Sequence, residues 1–387
     1  MQFSNMFKNI GRLGIEMYLL FQHHTTLDIL RSSAKSNMDL FTVTGTGWHF
    51  IKYLGPAVVV VGPDCRSERN PHQVMAGQTY QGIFPKVAML PPSVQHCLWM
   101  ISVPMIYPRL ETAEHIAKTV TTGKKTVTGA YNVLGKVTSS VAGVVGAKDM
   151  VGSGFDSIKR AVGKSGLMGG ILSPFGELDV LDELRDQWTH ESKDLERTYL
   201  IRTLQTIAQS KSIRMTFLSG AVNVCGAGLV HDPTRPSDHK TMYQLISSSV
   251  VNGPPPSYIL KLLHSSNRPL YIPANGHRSS TSPTAPPTDT KEDMMEIFQT
   301  DVTGQPREYR KLMGRRNYAA VVAYDPETVN SAYGQAGLGI NGTASNGAAA
   351  GGGKLNLAVD FMVQGDGLYP SVAKYGPVIV PSLGTGK

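Results

Sequence analysis

Four short apolar runs, each bounded by residues typical of turns, constrain the fold of this chain more than any other feature. Short continuous apolar runs are typical of strands that are buried on both faces of a parallel sheet. The four runs are Ala57–Gly62, Leu98–Ile106, Ile213–Leu218 and Gln244–Val251. Between the second and the third run, apolar residues recur at roughly helical spacing: Leu181, Leu184, Trp188, Leu195, Tyr199, Ile201, Leu204 and Ile207. Strands that alternate with a helix predict an α/β fold, and a hydrophobic content of 41% suffices for its core.

The carboxyl ends of such strands are where an α/β sheet binds its ligands. The first strand is followed by Asp64, Arg66 and Arg69. The planar guanidinium of Arg66 matches the geometry of a phosphate group, so these residues predict a phosphate-binding site. The alternative is an ion pair between Asp64 and Arg66 that only fixes the loop. Asn252 follows the fourth strand, where it either faces the same cleft or forms the turn before Pro254.

The third strand leads into a turn without reactive side chains. Residues 217–228 read FLSGAVNVCGAG, and the turn consists of Gly220, Ala221, Val222 and Asn223. None of these four residues is an acid, a base or a nucleophile, although an α/β hydrolase carries its chemistry at this kind of position. The sequence therefore identifies no catalytic residue at this turn.

Most of the net charge of +8 lies in one stretch, residues 115–164. It contains eight Lys and Arg residues and two Asp residues, which gives a difference of +6. Its apolar residues form a helical stripe, and its several glycines make that helix weak in water. A basic amphipathic helix of this kind suits an anionic membrane surface. The alternative is an insertion, residues 115–170, that packs one face on the body of the protein.

Two further stretches lack the composition of a packed core. Residues 273–293 are rich in Pro, Ser and Thr, which predicts a disordered loop. Residues 332–354 are rich in Gly and Ala and lie between two apparent strands, Tyr318–Tyr324 and Leu355–Val363. We therefore expect a hairpin with an enlarged Gly/Ala-rich loop there rather than a domain boundary.

The cysteine content and the hydropathy predict an intracellular, cytoplasmic protein. Three widely spaced cysteines without a CxxC pair argue against a disulfide framework or a structural zinc site. No apolar run reaches the roughly 18 residues of a membrane span, and Glu16 interrupts the apolar stretch near the N-terminus. We therefore expect peripheral contact with a membrane at most. The cations are not interleaved with aromatic residues, which argues against nucleic acid as a partner, and the sequence specifies no protein partner.

A series of motifs runs along the chain from about Leu19 to the C-terminus. The motifs are PDCRSER (63–69), Gln78–Tyr80, VPMIYPRLE (103–111), FGELDVLDELRDQWT (175–189), LSGAVN (218–223), MYQLISSSVVNGPPP (242–256) and GRRNYA (314–319). In this order they resemble the fungal branch of the PhoD-like phosphatases, which are metal-dependent phosphoric-ester hydrolases of the metallophosphatase superfamily. The resemblance implies one phosphatase domain over residues 1–387, N-terminally incomplete, with the fold of the C-terminal portion of a metallophosphatase αββα sandwich.

The resemblance also implies a metal centre with divalent or trivalent ions such as Ca²⁺ or Fe³⁺. In the family, the third strand usually ends in Gly-Asp-Val-His, whose Asp and His belong to that centre. This chain has Ala221 and Asn223 there, and Asp186 lies in the family's helix-entry motif, so Asn223 and Asp186 are degenerate metal positions. Hydrolysis needs charged ligands that help to lower the pKa of metal-bound water from about 15.7 to about 7. We therefore expect a catalytically impaired phosphatase; the alternative is a non-catalytic protein that binds a membrane surface or a partner.

Overall fold

A computed structural model of the protein describes residues 5–29, 41–44, 47–109, 187–221, 223–255, 260–261, 263–264, 267–273, 279, 290–327, 353–366 and 371–384. Within these residues the chain forms three long helices, α1 (Asn5–His23), α2 (Gly77–Ala88) and α3 (Asp194–Lys211). The strands are β1 (Phe41–Thr44), β2 (Gly47–Tyr53), β3 (Val58–Pro63), β4 (His96–Met100), β5 (Arg214–Ser219), β6 (Cys225–His231), β7 (Met242–Ile246), β8 (Leu270–Tyr271), β9 (Lys291–Met294), β10 (Leu312–Met313), β11 (Asn317–Tyr324), β12 (Asn356–Gln364) and β13 (Val372–Val380). The predicted basic insertion at 115–170 lies outside the described residues.

Ten of the described strands form one mixed sheet. Their order is β1-β2-β3-β4-β5-β7-β6-β9-β8, and β10 pairs with β6. The central strands β3, β4, β5 and β7 are parallel, and antiparallel strands continue the sheet on both sides. Because the four central strands run in the same direction, their carboxyl ends lie at the same edge of the sheet. The α/β fold predicted from the sequence is confirmed, with a parallel centre built from the four apolar runs.

The apolar runs predicted the central strands but not all of their ends. The second run was expected to extend to Ile106, whereas β4 ends at Met100. Ile101 and residues 104–108 are buried without being paired as a strand, and the backbone N–H of Met105 donates to the side-chain Oε1 of Gln244 at 2.8 Å. β7 ends at Ile246, five residues before the predicted end of the fourth run. Apolar composition indicates that a segment is buried, but not that it is a strand. A buried side chain such as that of Gln244 can satisfy the backbone of a segment that is not paired in the sheet.

Helices α2 and α3 cover one face of the large sheet. On α3 the side chains of Leu200, Leu204 and Ile207 recur at helical spacing, and they are buried in one core with Trp99 and Phe217 of the sheet. Helix α3 therefore confirms the C-terminal part of the predicted helical stretch. None of the described helices is long and apolar enough to cross a membrane.

The strands β11, β12 and β13 form an antiparallel sheet against the other face. Alternate residues of β12 are buried, as expected for a strand with one face in the core: Leu357, Val359, Phe361 and Val363. They pack in one cluster with Val58, Val60 and Leu98 of the large sheet. Helices, large sheet and second sheet are thus three successive layers of the predicted αββα sandwich. The pairing of β11 with β12 confirms the predicted hairpin, and residues 328–352 of its loop lie outside the described residues.

The predicted disordered loop at 273–293 is wrong at its C-terminal end. Residues Lys291–Met294 form β9, which pairs with β6 and β8. Glu292 in this strand is buried, and its carboxylate accepts a hydrogen bond from the guanidinium of Arg197 on α3. A buried carboxylate is tolerated when a charged partner meets it. That partner is distant in the sequence, so composition alone gave no sign of the strand.

A buried network of charged groups joins α3 to its surroundings. Besides Glu292, the fully buried Arg197 contacts Asp194 at 3.9 Å and donates through Nε to the carbonyl oxygen of Met105 at 2.9 Å. Arg109 donates to Asp194 Oδ1 at 3.0 Å. Burial lowers the pKa of Arg197 to about 10, which leaves it charged at neutral pH. The network fixes α3 against the segment that follows β4 and thereby positions the edge where the parallel strands end.

Candidate functional site

A cleft of about 650 Å³ lies at the carboxyl edge of the four parallel strands. The residues that end these strands or follow them form its floor, among them Pro63, Met100, Ser219 and Ser247. Aromatic side chains form one part of its wall, namely Tyr18, Trp48 and Phe50. The start of β11 forms another part, namely Asn317, Tyr318, Ala319 and Val321. The cleft lies where α/β sheets bind their ligands, and its volume is within the range of small-molecule sites.

Asp64 lies at this cleft directly after β3. Its Oδ1 accepts the backbone N–H groups of Arg66 at 2.9 Å and Ser67 at 3.0 Å, an arrangement that fixes the turn. Its Oδ2 is buried and has no hydrogen-bond partner among the described residues. The carboxylate therefore holds the loop with one oxygen and leaves the other oxygen unsatisfied.

The four predicted phosphate-binding residues do not all come together. Arg66 lines the cleft beside Asp64, and its side chain is exposed. Arg69 donates through Nη1 to the carbonyl oxygen of Cys65 at 3.4 Å and is not among the described residues that line the cleft. Asn252 is exposed, its backbone N–H donates to Ser249 Oγ at 2.5 Å, and it does not line the cleft either. The structure thus brings two of the four residues to the predicted place.

The turn after β5 is held by neutral groups. The backbone N–H of Ala221 donates to Ser248 Oγ at 2.9 Å, and the same hydroxyl donates to the carbonyl oxygen of Ala221. Asn317 Oδ1 accepts from Ser247 Oγ and from the backbone N–H of Ser248, both at 3.0 Å. The side chain of Ala221 packs against the core on the helical side of the sheet. The turn is therefore closed onto its neighbours by hydrogen bonds that involve no charged side chain.

Asn223 follows in a left-handed backbone conformation. Its φ is 56°, and its backbone N–H donates to the carbonyl oxygen of Ala221 at 2.5 Å. Among residues other than glycine, asparagine is one of those that adopt this conformation most readily, so the backbone geometry accounts for its presence. Asn223 is not among the described residues that line the cleft. Val222 and Asp186 lie outside the described residues.

Comparison with known proteins identifies the family. A family model described as PhoD related phosphatase matches residues 1–387. The chain belongs to the PhoD-related phosphatase family. An uncharacterized protein of Saccharomyces cerevisiae is 24% identical to it over 360 residues, which cover 82% of this chain and 44% of the yeast protein. The chain therefore spans less than half the length of that relative. No solved structure matches it.

Membership of the PhoD-related family confirms the resemblance seen in the motifs. The family also implies bound metal ions, so we ask whether the side chains of this cleft could bind a metal. Within the described part of the chain, no three His, Cys, Asp or Glu side chains lie close enough together to hold a metal ion. Asp64 is the only acidic residue that the described lining of the cleft contains, and one of its oxygens already accepts two hydrogen bonds. A catalytic metal centre requires several charged or imidazole ligands. The described residues do not fit such a centre.

Cys65 and His49 are two ionisable residues at or near the cleft, and their pKa values do not suit a nucleophile or a general base at neutral pH. Cys65 lines the cleft, but burial raises the pKa of its thiol to about 11, so the nucleophilic thiolate does not form at neutral pH. His49 of β2 is buried, and burial together with the charge of Lys86 on α2 lowers its pKa to about 4. His49 alternates along β2 with the cleft residues Trp48 and Phe50, so it lies on the opposite face of the sheet.

The aromatic wall of the cleft was not found from the sequence. The ring centroids of Tyr18 and Trp48 are 5.8 Å apart, and those of Trp48 and Phe50 are 6.2 Å apart. His23 joins this cluster through a 3.1 Å contact between its Nε2 and the hydroxyl of Tyr18. Trp48 and Phe50 stand two residues apart, which is the spacing of side chains on one face of a strand. That alternation was the available signal.

Proposed function

We propose that this chain binds a phosphorylated ligand in the cleft at the carboxyl edge of its large sheet and does not hydrolyse it. The observation that carries the proposal is the turn after β5, where Ala221 stands at the family's metal-binding Asp and its backbone is hydrogen-bonded to neutral groups of Ser248 and Asn223. Family membership supports a phosphoric ester as the ligand class. The guanidinium of Arg66 is the cation that the cleft offers to it.

The chemistry of this enzyme class explains why the substitutions abolish turnover in our proposal. Bound metal ions supply hydroxide at neutral pH and neutralise the phosphoryl oxygens. A methyl group at position 221 donates nothing, and an amide at position 223 is a weak neutral replacement for an imidazole. Phosphate recognition depends on Arg66 and survives both changes. Loss of hydrolysis with retention of binding is the expected result.

The test of this proposal has an activity arm and a binding arm. The purified chain is incubated with an aryl phosphate ester and Ca²⁺, Mn²⁺, Zn²⁺ or Fe³⁺, with an active metallophosphatase as the control for assay conditions. We expect no turnover that a chelator abolishes, and such turnover would overturn the proposal. In the binding arm, Arg66→Ala weakens the affinity for the ester about tenfold, while Arg235→Ala, which removes an exposed arginine elsewhere, leaves it unchanged.

We further propose that residues 115–164 attach the protein to anionic membranes in a reducing compartment. The charge excess of +6 in this stretch supports attachment to an anionic membrane. The three free, buried cysteines support a reducing compartment. Co-sedimentation with anionic vesicles tests it, with Lys118, Lys124, Lys125 and Lys136 changed together to Gln. Equal sedimentation of the variant and the unchanged protein would contradict the proposal.

A further inference from the structure

We infer that the ligand of the cleft is an amphiphile, namely a phosphate monoester that carries an alkyl or acyl chain. Arg66 binds the phosphate head, and the apolar walls of the cleft hold the chain. The inference rests on the proposed function, because it specifies which class of phosphorylated ligand the same cleft takes.

The first argument is the distribution of exposed apolar side chains around the cleft. Tyr18, Met100, Val250, Tyr318 and Val321 all line it, and they are exposed by 41%, 50%, 63%, 49% and 40%. They come from α1, β4, β11 and the segment after β7, so the tertiary structure collects them in one place. Contiguous exposed apolar surface around a cleft marks a binding site for an apolar group. A sugar or nucleotide would place hydroxyl groups against these walls, whereas a hydrocarbon chain removes them from water.

The second argument is the charge that the cleft presents. Of the described residues that line it, Arg66 is the only cation and Asp64 the only anion. Asp64 does not present its charge to a ligand, because Oδ1 accepts two backbone N–H groups and Oδ2 is buried. The exposed guanidinium of Arg66 therefore determines the sign of the preferred head group. An anionic head joined to an apolar chain complements both parts of the cleft.

The protein contains a reporter for occupation of this cleft. It has three tryptophans, of which Trp99 and Trp188 are fully buried in the core on the helical side. Trp48 is half-buried and forms part of the cleft wall. Displacement of water from its indole ring by an alkyl chain changes its fluorescence, while the other two tryptophans remain in an unchanged environment.

The experiment titrates the full chain with ethyl, butyl, hexyl, octyl and decyl phosphate, each below its micelle concentration, and follows Trp48 fluorescence. We expect the affinity to rise about threefold to fourfold with each methylene group that enters the cleft. Inorganic phosphate and the alkyl alcohols of the same lengths are the controls. If inorganic phosphate binds as tightly as decyl phosphate, the inference fails and the proposed function stands. If alcohols bind as tightly as phosphates, or if no phosphate binds, both fail.

A matched pair of variants tests where the alkyl chain of the ligand lies. Val321 lines the cleft, and its neighbour Val322 is 58% exposed on the other face of β11. Val321→Thr weakens decyl phosphate about threefold to tenfold and leaves ethyl phosphate unchanged, because only the longer ligand reaches this wall. Val322→Thr changes neither, and both substitutions keep a β-branched residue in the strand. Equal effects of the two substitutions would overturn the inference.

Two further outcomes are decisive. Arg66→Gln lowers the affinity for every alkyl phosphate by the same factor, since it removes the contact to the head that all of them share. Vesicles that contain a phosphate-headed lipid distinguish binding in the cleft from binding at a membrane surface. Binding to such vesicles without binding of any monomeric alkyl phosphate would overturn the inference.

Discussion

At the scale of single residues, backbone groups satisfy several of the polar side chains in the interior of the described part of the protein. His264 is an example: its Nδ1 donates to the carbonyl oxygen of Leu260 at 2.7 Å, and its Nε2 accepts the backbone N–H of Leu312 at 3.2 Å. These bonds fix the neutral tautomer, and burial lowers the pKa of the ring. His49 differs, because both of its ring nitrogens are buried without a hydrogen-bond partner among the described residues.

His49 makes stability depend on pH. Its pKa is about 4 in the folded protein and about 6.5 in the unfolded chain, so the unfolded chain takes up the proton first as the pH falls. The contribution to stability is complete above about pH 6.5 and is lost towards about pH 4, where the free energy of unfolding has fallen by about 3 kcal/mol. Urea unfolding at about pH 7 and about pH 4.5 measures this.

The substitution His49→Leu isolates this effect from that of other histidines. We expect the variant to lose less stability than the unchanged protein over the same pH interval, because it has no proton to bind at this position. His72→Leu removes an exposed histidine and serves as the control. An identical pH dependence of the His49→Leu variant and the unchanged protein would contradict the assignment.

At the scale of elements, the start of helix α2 depends on carboxylates from outside the helix. Glu196 on α3 accepts the backbone N–H groups of Val74 at 2.7 Å and Met75 at 2.9 Å, and the hydroxyl of Tyr80 at 2.5 Å. Glu68 accepts the backbone N–H of Ala76 at 2.8 Å. These N–H groups belong to the segment that leads into the helix, and carboxylates near a helix N-terminus also interact favourably with its dipole. Helices α2 and α3 are thereby joined by polar bonds as well as by the apolar core.

We predict that Glu196→Ala lowers the free energy of unfolding by about 3 kcal/mol, because two buried N–H groups lose their acceptor. Glu196→Gln keeps one acceptor oxygen and has about half of the effect. Hydrogen exchange at the amides of Val74 and Met75 measures the local change. Glu327→Ala removes an exposed carboxylate and is the control. Unchanged exchange at both amides in the Glu196→Ala variant would disprove this account of the contact.

At the scale of the whole molecule, Arg214 joins parts of the chain that are distant in sequence. Its side chain donates to the carbonyl oxygens of Pro381 at 2.9 Å, Asp238 at 2.8 Å, Thr241 at 2.6 Å and Ser237 at 3.0 Å. Pro381 directly follows β13 of the second sheet, while Arg214 begins β5 of the large sheet. The planar guanidinium can satisfy several carbonyl groups at once. One buried residue thus links the two sheets.

We predict that Arg214→Met lowers the free energy of unfolding by at least about 3 kcal/mol, since four carbonyl groups lose their donor. Arg214→Lys also destabilises the protein, because an ammonium group cannot reproduce the planar set of donors. Arg235→Met changes an exposed arginine and stays within about 0.5 kcal/mol. Urea unfolding of the three variants is the measurement, and equal stability of the Met variants would refute the role of Arg214.

The candidate site shows how far sequence patterns reach. Asp64 and Arg66 lie in the cleft, because they follow a buried parallel strand and such ends meet at one edge, while their contact with phosphate stays a prediction. The aromatic and apolar walls were not predicted, since Tyr18, Trp48 and Val321 come from three separate parts of the chain. No local pattern indicates that these surfaces meet. The turn after β5 was predicted to lack metal ligands, and the structure adds that Ser248 closes it.

By itself, the sequence determined the positions of the central strands, the C-terminal part of the helical stretch and the family, because each depends on residues that are close together along the chain or on motifs in a fixed order. The tertiary structure alone decided where strands end, which buried charges are paired and what lines the cleft. Strand β9 illustrates the reason: Glu292 is buried because Arg197, 95 residues earlier in the chain, accompanies it. The spacing of apolar residues along the sequence predicts which of them are buried. The partner of a buried polar group, in contrast, is determined by the folding of the whole chain.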